Sequence, residues 1–466
     1  MKLTAVGTNA SLVFMLALAA CGGDGGAAPP EGPATLAYAV SECREGWDGA
    51  VGQQSLHIRD GDREVTVMES GPFSSPTSDG LCRAFGLGRN GAESTRAWPI
   101  QRLGVSSDGS TVVFEVTDDF SLLSLSQVPP EQEGIWVVHA DGSGLRRVTA
   151  ASRYPSSPFD TLLTLGLGLP YLGFSPDGRT VAFTDLDLEA PDPAEPQMVT
   201  LDLLTGQRRQ LTHMPPGVPS FPSFMDARTI LFSSTADPDG TNPGHVRTQF
   251  TVTTDSPPQL KPLPVIALPG GEIIPDLRIT AAEASARGVA IPGRTPVNCC
   301  GTQVQEAFVF SPSEVLQLTN FRRSDTGYAR LTTDRQRVVF IASADPVGEN
   351  PNNYCELFSI DRFGADLRQL THMGAGPRFN CEDFDPLGRG CTTQLLRVDP
   401  LTGWVTFYSS CDPFGTNPLG GQLFTIRPDG SGLRQLTSTS GMTTDSDGTV
   451  HVELPGPWAA PSRGGF

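Results

Sequence analysis

The sequence predicts an all-β protein in which short four-stranded antiparallel sheets surround a shared axis, the architecture of a β-propeller. Three observations carry this. A two-part unit recurs along most of the 466 residues. Both parts have the pattern of a β-hairpin, so one unit supplies four strands. The 51 Gly and 41 Pro match the turn content that many short strands require. A repeated unit of this size sets the architecture before individual residues are read.

The first half of the unit is clearest at residues 172–184, where two apolar strands flank Ser175-Pro176-Asp177-Gly178. Asp-Gly between apolar runs signals a hairpin because Gly accepts positive φ. Related first halves occupy residues 103–115, 222–233, 329–341 and 395–408. The second half is clearest at residues 198–212, with an Asp-x-x-Thr-Gly turn and a last strand ending in Leu-Thr. It returns at 135–149, 357–371 and 423–437, and in shortened form at 308–319. The unit near 274–319 is the least regular. The first unit has strands at 36–40, 55–59 and 64–68 but lacks an innermost strand, and residues 446–454 read as the missing piece. A C-terminal strand completing the first blade closes the ring and removes exposed sheet edges. Seven blades is the preferred count; six or eight also accommodate the sequence.

The pattern resembles the TolB-type propeller repeat, also found in the non-catalytic propeller of prolyl oligopeptidases. Phe174-Ser175-Pro176-Asp177-Gly178 and the endings Leu211-Thr212, Leu370-Thr371 and Leu436-Thr437 carry the resemblance, which spans about residues 36–457. It implies the fold, and through TolB a role in envelope organisation. It says little about activity, since such propellers host unrelated functions. The sequence has no counterpart of the extra α/β domain of TolB.

Residues 1–20 read as a signal peptide, with Lys2 as its basic region and an apolar run at 12–20 too short to span a bilayer. Leu18-Ala19-Ala20-Cys21 resembles the bacterial lipoprotein signal. That implies cleavage before Cys21 and diacylation of its thiol, often with a third chain on the new amine, and two or more chains anchor stably. An ordinary secretory signal with a chance Cys is the rival reading. Asp24, at the fourth position of the mature chain, points toward the outer membrane rather than inner-membrane retention. Residues 21–35 form a Gly/Pro/Ala-rich flexible tether, 36–458 the propeller and 459–466 a disordered tail.

Beyond Cys21, eight cysteines remain: Cys43, Cys82, Cys299, Cys300, Cys355, Cys381, Cys391 and Cys411. An even number in an exported chain fits disulfides. Cys43 with Cys82 and Cys299 with Cys300 are the pairings favoured, with the last four paired among themselves. No Cys-x-x-Cys or accompanying His supports a metal site. The net charge of −18 argues against nucleic acid or an anionic lipid face as partner.

Three units share Asp-Pro-x-Gly-x-Asn-Pro between their second and third strands. The loops contain Asp237, Asp239 and Asn242; Asp345 and Asn350; and Asp412 and Asn417. Asp and Asn bond their own backbone and Gly allows positive φ, so an ordered structural turn is expected. The same oxygens suit Ca²⁺, the one cofactor considered, but Val347 and Phe414 replace Asp239 in two copies. His213 and His372 both follow Gln-Leu-Thr at outer strands and are read as surface residues. Asp185 and Asp187 alternate with Leu and are read as solvated. No Gly-x-Ser-x-Gly elbow or phosphate-binding Gly loop is present.

The function expected is therefore non-enzymatic: a membrane-anchored envelope lipoprotein whose rigid blades hold loops that bind a protein, peptide or glycan. The alternative is a carbohydrate-active or lactonase-type enzyme with a metal in the central channel. It requires His, Asp or Glu converging from several innermost strands, and strands such as 172–175 and 395–398 offer few.

Overall fold

The computed structural model describes residues 32–46, 49–75, 82, 99–117, 128–153, 172–189, 195–240, 242–245, 248–262, 272–273, 289–296, 303–310, 315–322, 326–373, 393–416 and 421–461. They form antiparallel sheets in a propeller ring. Blade one comprises Ile100–Val105, Thr111–Val116, Gly134–His139 and Arg146–Thr149. Blade two comprises Gly173–Phe174, Thr180–Leu186, Pro196–Asp202 and Arg208–Gln210. Blade three has Ser220–Phe224, Thr229–Ser234, Thr248–Thr253 and Leu260–Pro262. Blade four, from the least regular unit, has Glu272–Ile273, Val289–Pro296, Gln303–Phe310 and Val315–Gln317. Blade five has Thr326–Leu331, Arg337–Ala342, Glu356–Asp361 and Arg368–Gln369. Blade six has Thr393–Val398, Val405–Ser409, Gln422–Ile426 and Arg434–Gln435.

Four-stranded blades thus number six among the described residues, not the preferred seven. The remaining sheet has five strands, ordered Gly441–Thr444, Val450–Ala459, Thr35–Gly46, Gly49–Asp60 and Arg63–Ser75. Its C-terminal strand runs antiparallel to the N-terminal one, from Ala37 opposite Ala459 to Glu45 opposite Val450. Gly441–Thr444, which sequence did not assign, adds a short strand on the other side. The chain then continues to Pro461, which bridges Val105 in parallel. No helix among the described residues is long and apolar enough to cross a membrane.

The repeat reads directly as packing. Second and third strands set aromatic residues opposite one another at equivalent register: Phe114 with Trp136, Phe232 with Phe250, Phe340 with Phe358 and Phe407 with Phe424. The last three pairs stack with ring centroids 5.7, 5.8 and 5.7 Å apart. Such cross-strand pairs add to the burial that stabilises each sheet. The Asp-Gly turns form as expected: Ser175 Oγ donates to Asp177 Oδ1 at 2.6 Å, and Gly178 takes φ +68°. In blade five Arg335 occupies the corresponding left-handed position at φ +59°.

The Leu-Thr endings serve as buried latches. Leu357 N donates to Thr371 Oγ1 at 2.9 Å, and that hydroxyl donates to Glu356 Oε2 at 2.6 Å. The same geometry joins Met198, Thr212 and Gln197; Ala307, Thr319 and Glu306; and Leu423, Thr437 and Gln422. Each Gln or Glu also accepts a backbone N–H from the chain leaving the fourth strand, as Glu356 Oε1 does from Met373 N at 2.8 Å. The third strand therefore fixes the exit of the fourth, satisfying polar groups that burial would otherwise penalise.

Candidate functional site

In antiparallel blades the loops joining second to third strands all leave on one face of the ring, so the Asp-Pro loops of blades three, five and six share a face. Their carboxylates and amides are turned onto the chain. In blade five Asp345 Oδ1 accepts from Asn350 N at 2.8 Å, and Asn350 Nδ2 donates to Ala344 O and Tyr354 O at 2.9 and 2.8 Å. Tyr354 N returns a bond to Asn350 Oδ1 at 3.0 Å. In blade three Asp237 Oδ1 accepts from Asn242 N at 2.7 Å, and in blade six Asp412 Oδ1 accepts from Thr416 N at 2.7 Å. Gly240, Gly348 and Gly415 hold φ of +75°, +78° and +67° with open space around them, so Gly is needed for the bend alone. Among the described residues no three His, Cys, Asp or Glu gather to hold a metal ion. The ligand chemistry of these loops is thus a self-bonded turn, with Val347 and Phe414 exposed at two tips. Asn417 lies outside the described residues.

The innermost strands contribute arginine. Arg102 meets Glu115 at 3.1 Å with both side chains nearly inaccessible. Arg208, on the fourth strand of blade two, meets Asp185 at 2.7 Å, and the two guanidinium groups lie 5.7 and 5.8 Å from the Phe183 ring centre. Asp185 is therefore fully buried, not solvated; it also accepts from Ser152 Oγ and Arg153 N at 2.9 and 2.7 Å. The alternation with Leu misled because this strand is covered on both faces by neighbouring blades. Asp187 is half-buried too and caps its own loop through Glu189 N at 2.9 Å. Burial brings Arg330 and Arg397 down to about 10, with Arg330 adding repulsion at Arg397, whose guanidinium sits 5.2 Å from the Trp458 ring centre.

His213 and His372 lie at the surface, His372 Nε2 3.0 Å from Glu349 Oε2. A contact network invisible in sequence surrounds His57. Its Nε2 lies 2.8 Å from Ser55 Oγ, its ring stacks on Tyr38 at 5.3 Å, and its Nδ1 is 3.5 Å from Glu64 Oε1. Glu64 Oε1 also accepts the Tyr38 hydroxyl at 2.7 Å, and Thr66 Oγ1 lies 3.4 Å from the same His57 Nδ1, so Glu64 is shared between the phenol and the imidazole. Burial holds the imidazole below its ordinary range despite nearby Glu64 and Glu42. The only sequence signal is residues i and i+2 sharing a strand face, a pattern too common to read.

Cys43 and Cys82 are bonded, with Cα atoms 5.5 Å apart. Cys355 and Cys411 are also disulfide-bonded. Cys21, Cys299, Cys300, Cys381 and Cys391 lie outside the described residues.

The fold and its loops define the class: a β-propeller. Solved structures similar to it include TolB from Acinetobacter baumannii, at 13% identity over 90% of this chain and 80% of that one, TM-score 0.38. The propeller domain of the Trilobed protease from Pyrococcus furiosus is 10% identical over 89% and 96%, TM-score 0.46. An oligogalacturonate lyase from Vibrio parahaemolyticus is 10% identical over 83% and 90%, TM-score 0.45. No family profile matches the chain, and no curated protein matches it.

Proposed function

We propose that this protein is a bacterial envelope lipoprotein, anchored through Cys21, that binds a protein, peptide or glycan on a propeller face without catalysing a reaction. We infer further that pairing of Val450–Ala459 with Thr35–Gly46 closes the ring. One observation supports the binding role above others. In the Asp-Pro loops of blades three and five the Asp Oδ1 accepts from the Asn N five residues on, and in blade six from Thr416 N four residues on, while the residue after Pro varies among Asp239, Val347 and Phe414. A fixed frame with a variable tip suits recognition, because little loop entropy is lost on binding.

The reading is tested by photo-crosslinking. A benzophenone side chain at Val347 or Phe414 in cells is expected to give one discrete adduct at both positions. No adduct at either, or turnover of a glycan or lactone by the purified protein, would overturn it.

A further inference from the structure

We propose that the propeller face bearing the first-to-second-strand turns is held toward the bilayer, leaving the Asp-Pro loop face turned outward to its partner. This rests on the lipid-anchor reading above and deepens it.

The placement of the chain entering the fold carries the inference. Ala34 N donates to Asp399 Oδ2 at 2.6 Å, and Thr35 Oγ1 donates to Gly109 O at 2.8 Å. Asp399 and Gly109 sit in the first-to-second-strand turns of blades six and one. The entry point is thus pinned between two inner turns on one face. Pro461, beside Gly109, lies there too. Antiparallel order sends the third-to-fourth-strand turns to this same face and the Asp-Pro loops to the other.

Tether length then decides the orientation. Cys21 to Gly32 spans eleven residue steps, at most ~40 Å when fully extended. Reaching the Asp-Pro face would mean crossing the width of a blade, ~20 Å for four strands, and then the ~20 Å height of a six-residue strand. That consumes the whole reach before any lipid is met. From the entry face no such detour is needed.

The surface of the entry face is compatible. The three most exposed large apolar side chains among the described residues, Phe363 at 70%, Leu204 at 68% and Leu401 at 50%, all sit on its turns. Its turn carboxylates, such as Asp177 and Asp334, are bonded to their own loops, and Arg179, Arg228 and Arg335 lie within the same turns.

The test uses the full lipidated chain in phosphatidylcholine vesicles carrying a headgroup-linked acceptor dye. A donor dye is attached through an azido residue replacing Gln207, on the entry face, or Asn352, in an Asp-Pro loop. Strong energy transfer from position 207 and little from 352 is expected. Equal transfer, or more from 352, overturns the orientation while leaving the anchor intact. A chain that fails to float with vesicles and shows no acyl mass at its N-terminus overturns the anchor itself.

Discussion

Asp185 and Arg208 meet at 2.7 Å across blade two, with the carboxylate fully buried and the guanidinium of a second ion pair, Arg102 with Glu115, also lying against Phe183. The cluster joins blade one, blade two and the chain between them: Ser152 N donates to Glu115, Ser152 Oγ and Arg153 N donate to Asp185, and Arg208 donates to Ala150 O and Ala151 O. Removing one partner leaves a buried charge without its counterion. Asp185→Ala is expected to destabilise by about 3–5 kcal/mol, measured by denaturant unfolding. Asp185→Ala paired with Arg208→Met should recover part of that loss.

The threonine latch predicts a smaller effect. Thr371→Val keeps the shape but deletes the hydroxyl between Leu357 N and Glu356. A loss of about 1–3 kcal/mol is expected from the two partners left short of a bond. Thr371→Ser should retain most of the stability. A loss as large for Ser as for Val would show that packing of the methyl group, not hydrogen bonding, makes the latch.

The bridge between Cys43 and Cys82 spans 39 residues in sequence. Restricting a loop of that length in the unfolded chain contributes about 4 kcal/mol in the chain-entropy account. The Cys43→Ala, Cys82→Ala double variant should therefore unfold at lower denaturant concentration, with the other disulfides left intact.

His57 predicts a pH dependence. Burial lowers its affinity for protons in the folded chain below the ordinary 6.5. The unfolded chain then binds the proton first, so this contribution to stability is complete above pH 6.5 and declines as pH falls below it. His57→Gln should flatten the stability profile in that window. An unchanged slope would assign the acid sensitivity to other groups.

The Asp-Pro loops predict indifference to calcium. Because Asn350 is bonded to its own backbone, Asn350→Ala should lower the melting temperature, and millimolar Ca²⁺ or a chelator should not move that of the unmodified protein. A calcium-dependent rise would mean these oxygens turn outward to bind the ion.

Most of the fold was legible because its signals are local. Asp177-Gly178 and the Leu-Thr endings repeat at fixed offsets, and a hairpin needs only neighbouring residues to form. Cys43 and Cys82, expected as a pair, both precede the second unit at residue 103 and are bonded. The blade count was not read correctly, because the N-terminal and C-terminal segments share a five-stranded sheet whose extra strand, Gly441–Thr444, was not assigned from the sequence. Asp185 was misread for a related reason: periodicity reports one strand's two faces but not what covers them.

By itself the sequence determined the repeating sheet, its turn chemistry and the residues that close each blade, since these depend on backbone preferences within a dozen positions. Only the tertiary structure decided that Asp185 is buried against Arg208, that Tyr38 and His57 share Glu64, and that Thr35 enters the ring beside Gly109. Those facts depend on which blades become neighbours, and long-range packing around a common axis is not written in any local pattern.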